Sequence, residues 1–444
     1  MIYIYQIGRL EKNITNEINF RIGGEIISSS LSSLALKQHL ENSGKGNVKV
    51  ILAYPVSLPF NGKLIEGESQ IPTDLKNKIK RILDDSSERE NYLKNPEEFF
   101  KSHPHSNGNE FFIIHSIGQY ERQKFEGKYD DIVLDFFIDM LERIKVCDQT
   151  EIYVDVSSGL NVYVSAMLEA VRHFSTYYHL SEWENRKLKV FLVFTDPIIG
   201  SSANEFNIYK DYELKFKVFF SSPIKKEDID NFALARKIAG EDRKLKKCIQ
   251  EILENFAICF SAIKNNAPLA VYTFGYDKIC EVKELEEKIL QIVKYKLREN
   301  WERSPNLEKD AYIKLFLTLG FYRGIIKVLE KQSICPSREV NMRQMKEKFK
   351  KIYETFNLTL NEKFLGNEVS NLARKLKDKD IKEWTLLKCA LEMSGEMDER
   401  NFFAHSGLES NLTEVKKNND EILIRYKEEE EKLKKVKEWL KKNL

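Results

Sequence analysis

The stretch Glu151–Asn161, EIYVDVSSGLN, reads as a β-strand that ends beside an aspartate and turns through small residues into a helix. Glu151–Val156 is apolar and β-rich, Ser157, Ser158 and Gly159 are turn formers, and Leu160–Leu180 carries apolar residues at helical spacing. The same unit recurs on either side of it. Ile2–Ile7 closes at Gly8-Arg9, Val48–Tyr54 closes at Pro55, and Phe111–Ile117 and Leu188–Thr195 are further strand candidates, with helical spacing over Ser30–Leu40 and Asp130–Val146. Strands alternating with helices predict a Rossmann-like, doubly wound parallel sheet.

Ligands of such sheets bind beyond the carboxyl ends of the strands. Three loops there are unusually polar. Asp155, Ser157, Ser158, Gly159 and Asn161 open a helix, where backbone N–H groups and the helix dipole suit a phosphate. Gly23-Gly24 followed by Ser28, Ser29 and Ser30 offers a second cradle, and Gly8-Arg9 adds a cation. Any one of these loops reads equally well as caps and turns; three converging loops point to a nucleotide or phosphate ligand. G-x-G-x-x-G and the P-loop pattern are absent, which argues against a dehydrogenase or an ATPase. His103-Pro104-His105 sits among Ser106, Asn107, Gly108 and Asn109, a loop composition that does not favour a metal site.

Near Ser221-Ser222-Pro223 the texture changes to long charged helical patterns: Asp228–Ile263, Glu281–Glu299, Ala311–Glu330, Arg338–Phe356, Asn367–Leu376 and Trp384–Met393. The expected organisation is a sheet domain over 1–222, a helical connecting segment over 223–299 and an all-α domain over 300–444. Glu428–Lys442 reads as a solvated terminal helix, because its charges are mixed.

With 71 basic and 69 acidic residues the net charge is +2, so any nucleic-acid site is a local patch rather than a global field. The six cysteines lack C-x-x-C spacing and read as reduced residues of a cytoplasmic protein. No apolar run of about 18 residues predicts a membrane span.

Within the helical half, Ser394–Gly407 (SGEMDERNFFAHSG) places an arginine, an amide and a histidine in a short run. Histidine exchanges protons near neutral pH, and arginine carries a planar cationic fork suited to phosphate oxygens. At about 100° per residue, Arg400 and His405 diverge by roughly 140° on a helix. A shared site therefore needs a helix break at the pair or a second copy facing the first. Alone, the spacing is also what a capping histidine beside a solvated arginine would give.

Arg400-Asn401-Phe402-Phe403-Ala404-His405 resembles the R-N-x-x-x-H signature of HEPN ribonucleases, and Asp155–Asn161 resembles the ligand loop of CARF domains, with Ser158 where close relatives often carry histidine. The order of the two motifs resembles the CRISPR-associated CARF–HEPN endoribonucleases of type III systems, across nearly the whole chain. The resemblance implies a metal-independent endoribonuclease in a homodimer or higher homo-oligomer. It would cut single-stranded RNA to 2′,3′-cyclic phosphate ends, with Arg400, Asn401 and His405 catalytic and no cofactor. It also implies allosteric activation by a cyclic oligoadenylate, four adenylates being the expected ring, held by Gly8, Arg9, Ser28, Ser29, Ser30, Asp155, Ser157, Ser158, Gly159 and Asn161. The alternative is a ligand-controlled DNA-binding regulator whose recognition helix lies in the basic segment Arg338–Lys351.

Overall fold

Strand β1 (Ile2–Ile7) is buried at all six positions, as IYIYQI requires of a strand covered on both faces. In the computed structural model, residues 1–145, 150–184, 188–196, 205–418 and 421–444 are described. Val146 and Cys147 lie outside the described residues; the five described cysteines are free.

After β1 come β2 (Ile18–Ile22), β3 (Glu25–Ser29), α1 (Ser32–Asn42) and β4 (Val48–Pro55). The chain continues through α2 (Thr73–Asp84), α3 (Ser86–Lys94), α4 (Pro96–Phe100), β5 (Glu110–Ile114), β6 (Ile117–Tyr120), β7 (Gln123–Glu126) and α5 (Tyr129–Arg143). Then follow β8 (Thr150–Asp155), α6 (Asn161–Ser181), β9 (Leu188–Thr195) and β10 (Glu205–Glu213). Eight strands form one sheet in the order β3-β2-β10-β9-β8-β1-β4-β5. The five from β9 to β5 are mutually parallel, as alternation predicts. The far edge is not: β10 runs antiparallel to β9, and β2–β3 is a hairpin. Gly23 and Gly24, at φ +56° and +92°, are the two central residues of its turn, the backbone that a two-residue hairpin demands. They form no phosphate cradle ahead of a helix.

From β1 the chain moves out to β4 and β5, then returns to the other side of β1 as β8 and β9. The switch point lies between β1 and β8, so the loops beginning at Gly8 and at Val156 leave adjacent strand ends.

The helical part holds α7 (Lys226–Ile229), α8 (Ala233–Ala239), α9 (Arg243–Lys264), α10 (Pro268–Phe274), α11 (Ile279–Arg298) and α12 (Lys309–Lys331). After these come β11 (Val340–Asn341), α13 (Met342–Thr355), α14 (Thr359–Leu376), β12 (Thr385–Leu386) and α15 (Leu387–Ala390). The chain ends with α16 (Glu399–Ala404), β13 (Thr413–Asn418), β14 (Glu421–Tyr426) and α17 (Glu430–Lys442). The expected single helix over Asp228–Ile263 is interrupted. Gly240 (φ +53°) closes α8, and the Asp242 carboxylate caps α9 by accepting from Leu245 N at 2.9 Å. Trp384–Met393 gives only β12 and one helical turn. A four-stranded antiparallel sheet, β11-β14-β13-β12, stands where no strands were expected.

Two units result. One comprises Met1–Tyr178, Asn185–Lys217 and Ile289–Lys309; the other comprises His179–Glu184, Val218–Lys288 and Asp310–Leu444. The segment 223–299 is thus no separate connector, since it divides between them. The core of the helical unit is aromatic: Phe220 stacks on Phe260 at 4.8 Å between centroids and meets Phe356 at 4.5 Å. Helix α17 is not simply solvated, because Val436 and Leu440 are fully buried. No described helix is long and apolar enough to cross a membrane.

Candidate active site and ligand loops

In the helical unit, α16 is only six residues long and is fixed at both ends. The Asp398 side chain caps it, accepting from Asn401 N at 2.8 Å and from Asn401 Nδ2 at 2.7 Å. The Asn401 amide therefore locks the first turn of the motif helix. Phe402 is fully buried, 5.7 Å from the Trp439 ring and 6.3 Å from Tyr426. That contact anchors the face of α16 lying between the two polar ends.

The helix stops at His405. Ser406 and Gly407 both take positive φ, +54° and +74°. A Cβ on residue 407 would lie 2.9 Å from Ala267 Cα, so the close approach there requires glycine. The turn is held from below: Tyr353 Oη donates to Asn266 Oδ1 at 2.8 Å, Asn266 Nδ2 donates to Ser406 Oγ at 2.8 Å, and Tyr426 Oη donates to Gly407 O at 2.8 Å. The break falls after His405, whose backbone N–H still donates to Asn401 O at 3.1 Å, so it does not by itself turn the histidine towards Arg400, and a shared site calls for the second way, a facing copy.

The His405 side chain is half exposed, and its Nδ1 lies 3.2 Å from Glu368 Oε1 on α14. With Nδ1 engaged, Nε2 is the nitrogen left for a substrate. Arg400 is exposed and makes no hydrogen bond or ion pair among the described residues. Glu399, just before it, is tied to Lys442 Nζ at 2.9 Å and to Asn443 Nδ2 at 2.8 Å; the Lys442 bond above all holds its carboxyl below the usual range.

In the sheet unit, Asp155 is fully buried at the end of β8. Ser32 Oγ donates to Asp155 Oδ2 at 2.6 Å, and Ser157 N donates to Asp155 Oδ1 at 2.9 Å. Burial raises the carboxyl above its ordinary value, while the bonds from Ser32 and Ser157 pull it back. Gln6 Nε2 donates to Ser32 Oγ at 2.9 Å, and Gln6 Oε1 accepts from Ser33 Oγ. A polar relay thus ties β1, the start of α1 and the loop after β8 together. Gly159 takes φ +71°, Ser158 Oγ is buried without a partner among the described residues, and Asn161 opens α6 exposed.

Arg9 reaches the same region, donating to Ser30 O at 3.3 Å. Gly8 is pressed against Tyr54, where a Cβ would fall 2.3 Å from the ring. Ser28 and Ser29 are engaged elsewhere: Ser28 Oγ donates to Glu17 Oε2 at 3.0 Å, and Ser29 Oγ donates to Leu31 O at 3.1 Å. The serines that meet Asp155 and Gln6 are Ser32 and Ser33, at the start of α1.

His103 and His105 brace these loops. His103 Nε2 donates to Arg9 O, and His105 Nε2 to Ile14 O, each at 2.9 Å. Burial lowers His103 to about 3 and His105 to about 4. Unfolded, both take up a proton near pH 6.5, so below that pH the unfolded state binds more protons and stability falls with pH. The expected loss is about 2 kcal/mol per histidine by pH 5. Denaturant titrations at pH 7 and pH 5 should therefore show a steeper loss for the wild type than for His103→Gln.

A Rossmann-like sheet with a polar loop cluster at its switch point, followed by a helical unit carrying R-N-x-x-x-H, is the make-up of a CARF–HEPN protein. Residues 2–197 match the model for the CARF domain of the CRISPR system endoribonuclease Csx1, and residues 358–428 match the model for its HEPN domain. The two matches cover more than half of the chain, which belongs to the Csx1 endoribonuclease family. The HEPN match includes Glu368, Arg400, Asn401 and His405. No curated protein matches the chain.

Proposed function

We propose that this CRISPR-associated endoribonuclease cuts single-stranded RNA without a metal, in the cytoplasm, and is switched on by a cyclic oligoadenylate bound at the loops around Asp155. The observation that carries the reading is an exposed Arg400 one short helix away from a histidine whose Nδ1 is held by Glu368. His405 Nε2 takes the proton of a 2′-hydroxyl, and that oxygen attacks the adjacent phosphorus. The 5′-oxygen leaves with a proton, giving a 2′,3′-cyclic phosphate and a 5′-hydroxyl. Arg400 places its fork on the non-bridging oxygens, where negative charge grows. A second copy supplies another such pair across a two-fold axis.

The test is labelled single-stranded RNA in EDTA, with and without cyclic tetra-adenylate. Cleavage that survives EDTA, rises with the ring and leaves 2′,3′-cyclic phosphate ends is expected. Products with 3′-hydroxyl ends that require Mg²⁺ would overturn the mechanism. Arg400→Lys keeps the charge and loses the bidentate fork, and its kcat should fall by about 10²–10³. The DNA-binding alternative would leave the Arg400–His405 motif without a role, although residues 358–428 match the HEPN model.

A further inference from the structure

Beside the motif helix, α8, α9 and α17 border an open cavity of about 710 Å³ that also takes in Glu399, the residue before Arg400. That volume falls within the range of small-ligand pockets. Three features mark its wall as more than a surface depression.

The first is backbone strain. Asn231 (φ 53°, ψ 28°) and Phe232 (φ 59°, ψ 31°) are consecutive left-handed residues, and Phe232 remains 38% exposed. A bulky aromatic residue in that region is an outlier of the kind found at ligand clamps. The strain leaves more than a third of the residue open to the cavity side. Trp439 lines the same cavity and rests against Phe402.

The second is an unmet acceptor. Gln250 lines the cavity at 5% exposure. Its Nε2 donates to Ile229 O at 3.0 Å and to Glu254 Oε1 at 2.7 Å. Both partners are acceptors, which fixes the orientation of the amide. Oε1 is left buried with no donor, a costly state unless something supplies one.

The third is the charge pattern. Lys442 pairs with Glu399, Lys441 with Glu254 and Lys226 with Asp230. Arg236 and Glu438, both exposed on the same wall, have no hydrogen bond or ion pair among the described residues. Two aromatic rings, one buried acceptor and one available guanidinium match a nucleotide whose base carries an exocyclic amino group.

We infer that this cavity is a base-binding subsite for a nucleotide of the RNA strand flanking the scissile phosphate. The base stacks on Phe232 and Trp439, its amino group meets Gln250 Oε1 once that buried amide shifts towards the cavity, and Arg236 takes the adjoining phosphate. The inference rests on the ribonuclease reading above and adds a sequence preference to it, for adenosine, cytidine or guanosine over uridine.

Phe232→Gly tests it sharply, because glycine removes the ring and also relieves the left-handed backbone. For a residue with only a structural role, this variant would change stability, strain relief against lost burial, and leave the kinetics of the folded enzyme unchanged. The expected result is a thermal midpoint that moves little, since strain relief offsets part of the lost burial, with KM for single-stranded RNA raised about tenfold and kcat little changed. Arg236→Ala should raise KM as well. Oligoribonucleotides that differ only in the base beside one cut site should show the wild type discriminating against uridine, and Gln250→Met should erase that discrimination. If the wild type cuts RNA but KM and base preference are the same in all three variants, the subsite is wrong and the ribonuclease reading stands. If the wild type cuts no RNA, both fall.

Discussion

His405→Ala should lower the single-turnover rate of RNA cleavage by about 10²–10⁴ while leaving the fold and the sheet unit's ligand affinity intact. The side chain is half exposed, and its one hydrogen bond runs to Glu368, so its loss removes a proton-transfer group and almost no buried volume. The backbone it leaves behind stays fixed, because the turn is held through Ser406 and Gly407. Glu368 extends the test. Glu368→Gln keeps an oxygen that accepts from Nδ1–H and should retain most of the activity, whereas Glu368→Leu lets the ring turn and should lose much more. A purely structural glutamate would not separate the two substitutions. Wild-type cleavage by His405→Ala would mean that the chemistry lies elsewhere.

How far the sequence shows all this depends on the range over which each contact acts. Arg400, Asn401 and His405 are legible because they lie in one run whose Ser-Gly end announces a chain reversal, and the structure supplies that reversal at Ser406-Gly407. Glu368 is not legible, since it stands 37 positions before His405 in a helix rich in charged side chains, with no local feature to single it out. The loop after β8 is legible from its composition, but its partners are not: Gly23-Gly24 is a hairpin turn, and Ser32 and Ser33 at the start of α1, not Ser28–Ser30, meet Asp155 and Gln6. The alternation in INFRI and EIISS carries that hairpin at the period of two that marks a strand. The sheet built on β13 and β14 was missed because Lys, Asn and Glu dilute its apolar positions. Trp439 could not have been tied to Phe402 without the tertiary fold.

Disruption of the loop after β8 should abolish activation without touching the chemistry. Ser158 Oγ is buried and without a partner among the described residues, next to Gly159 in a left-handed conformation, and Asn161 stands exposed at the mouth of α6. Ser158→Trp fills the loop with an indole where the fold leaves room for a hydroxyl, so the response to cyclic tetra-adenylate should vanish at every concentration. Asn161→Ala is milder, and about tenfold more activator should restore most of the rate. A ligand shifts an equilibrium only by its differential affinity for the two states. A hundredfold activation needs a hundredfold preference, about 2.7 kcal/mol. If the ring binds at this loop, the Asp155–Ser32–Gln6 relay is the hydrogen-bonded path that joins it to α1 and β1. A two-fold pair of chains would present the loop twice around one axis, which favours a ring with an even number of adenylates. Equilibrium binding of the ring, measured beside cleavage in each variant, decides the matter. Loop variants that lose activation while binding the ring as tightly as wild type would place the ligand at another site, and cleavage equally fast with and without every ring would remove the switch altogether.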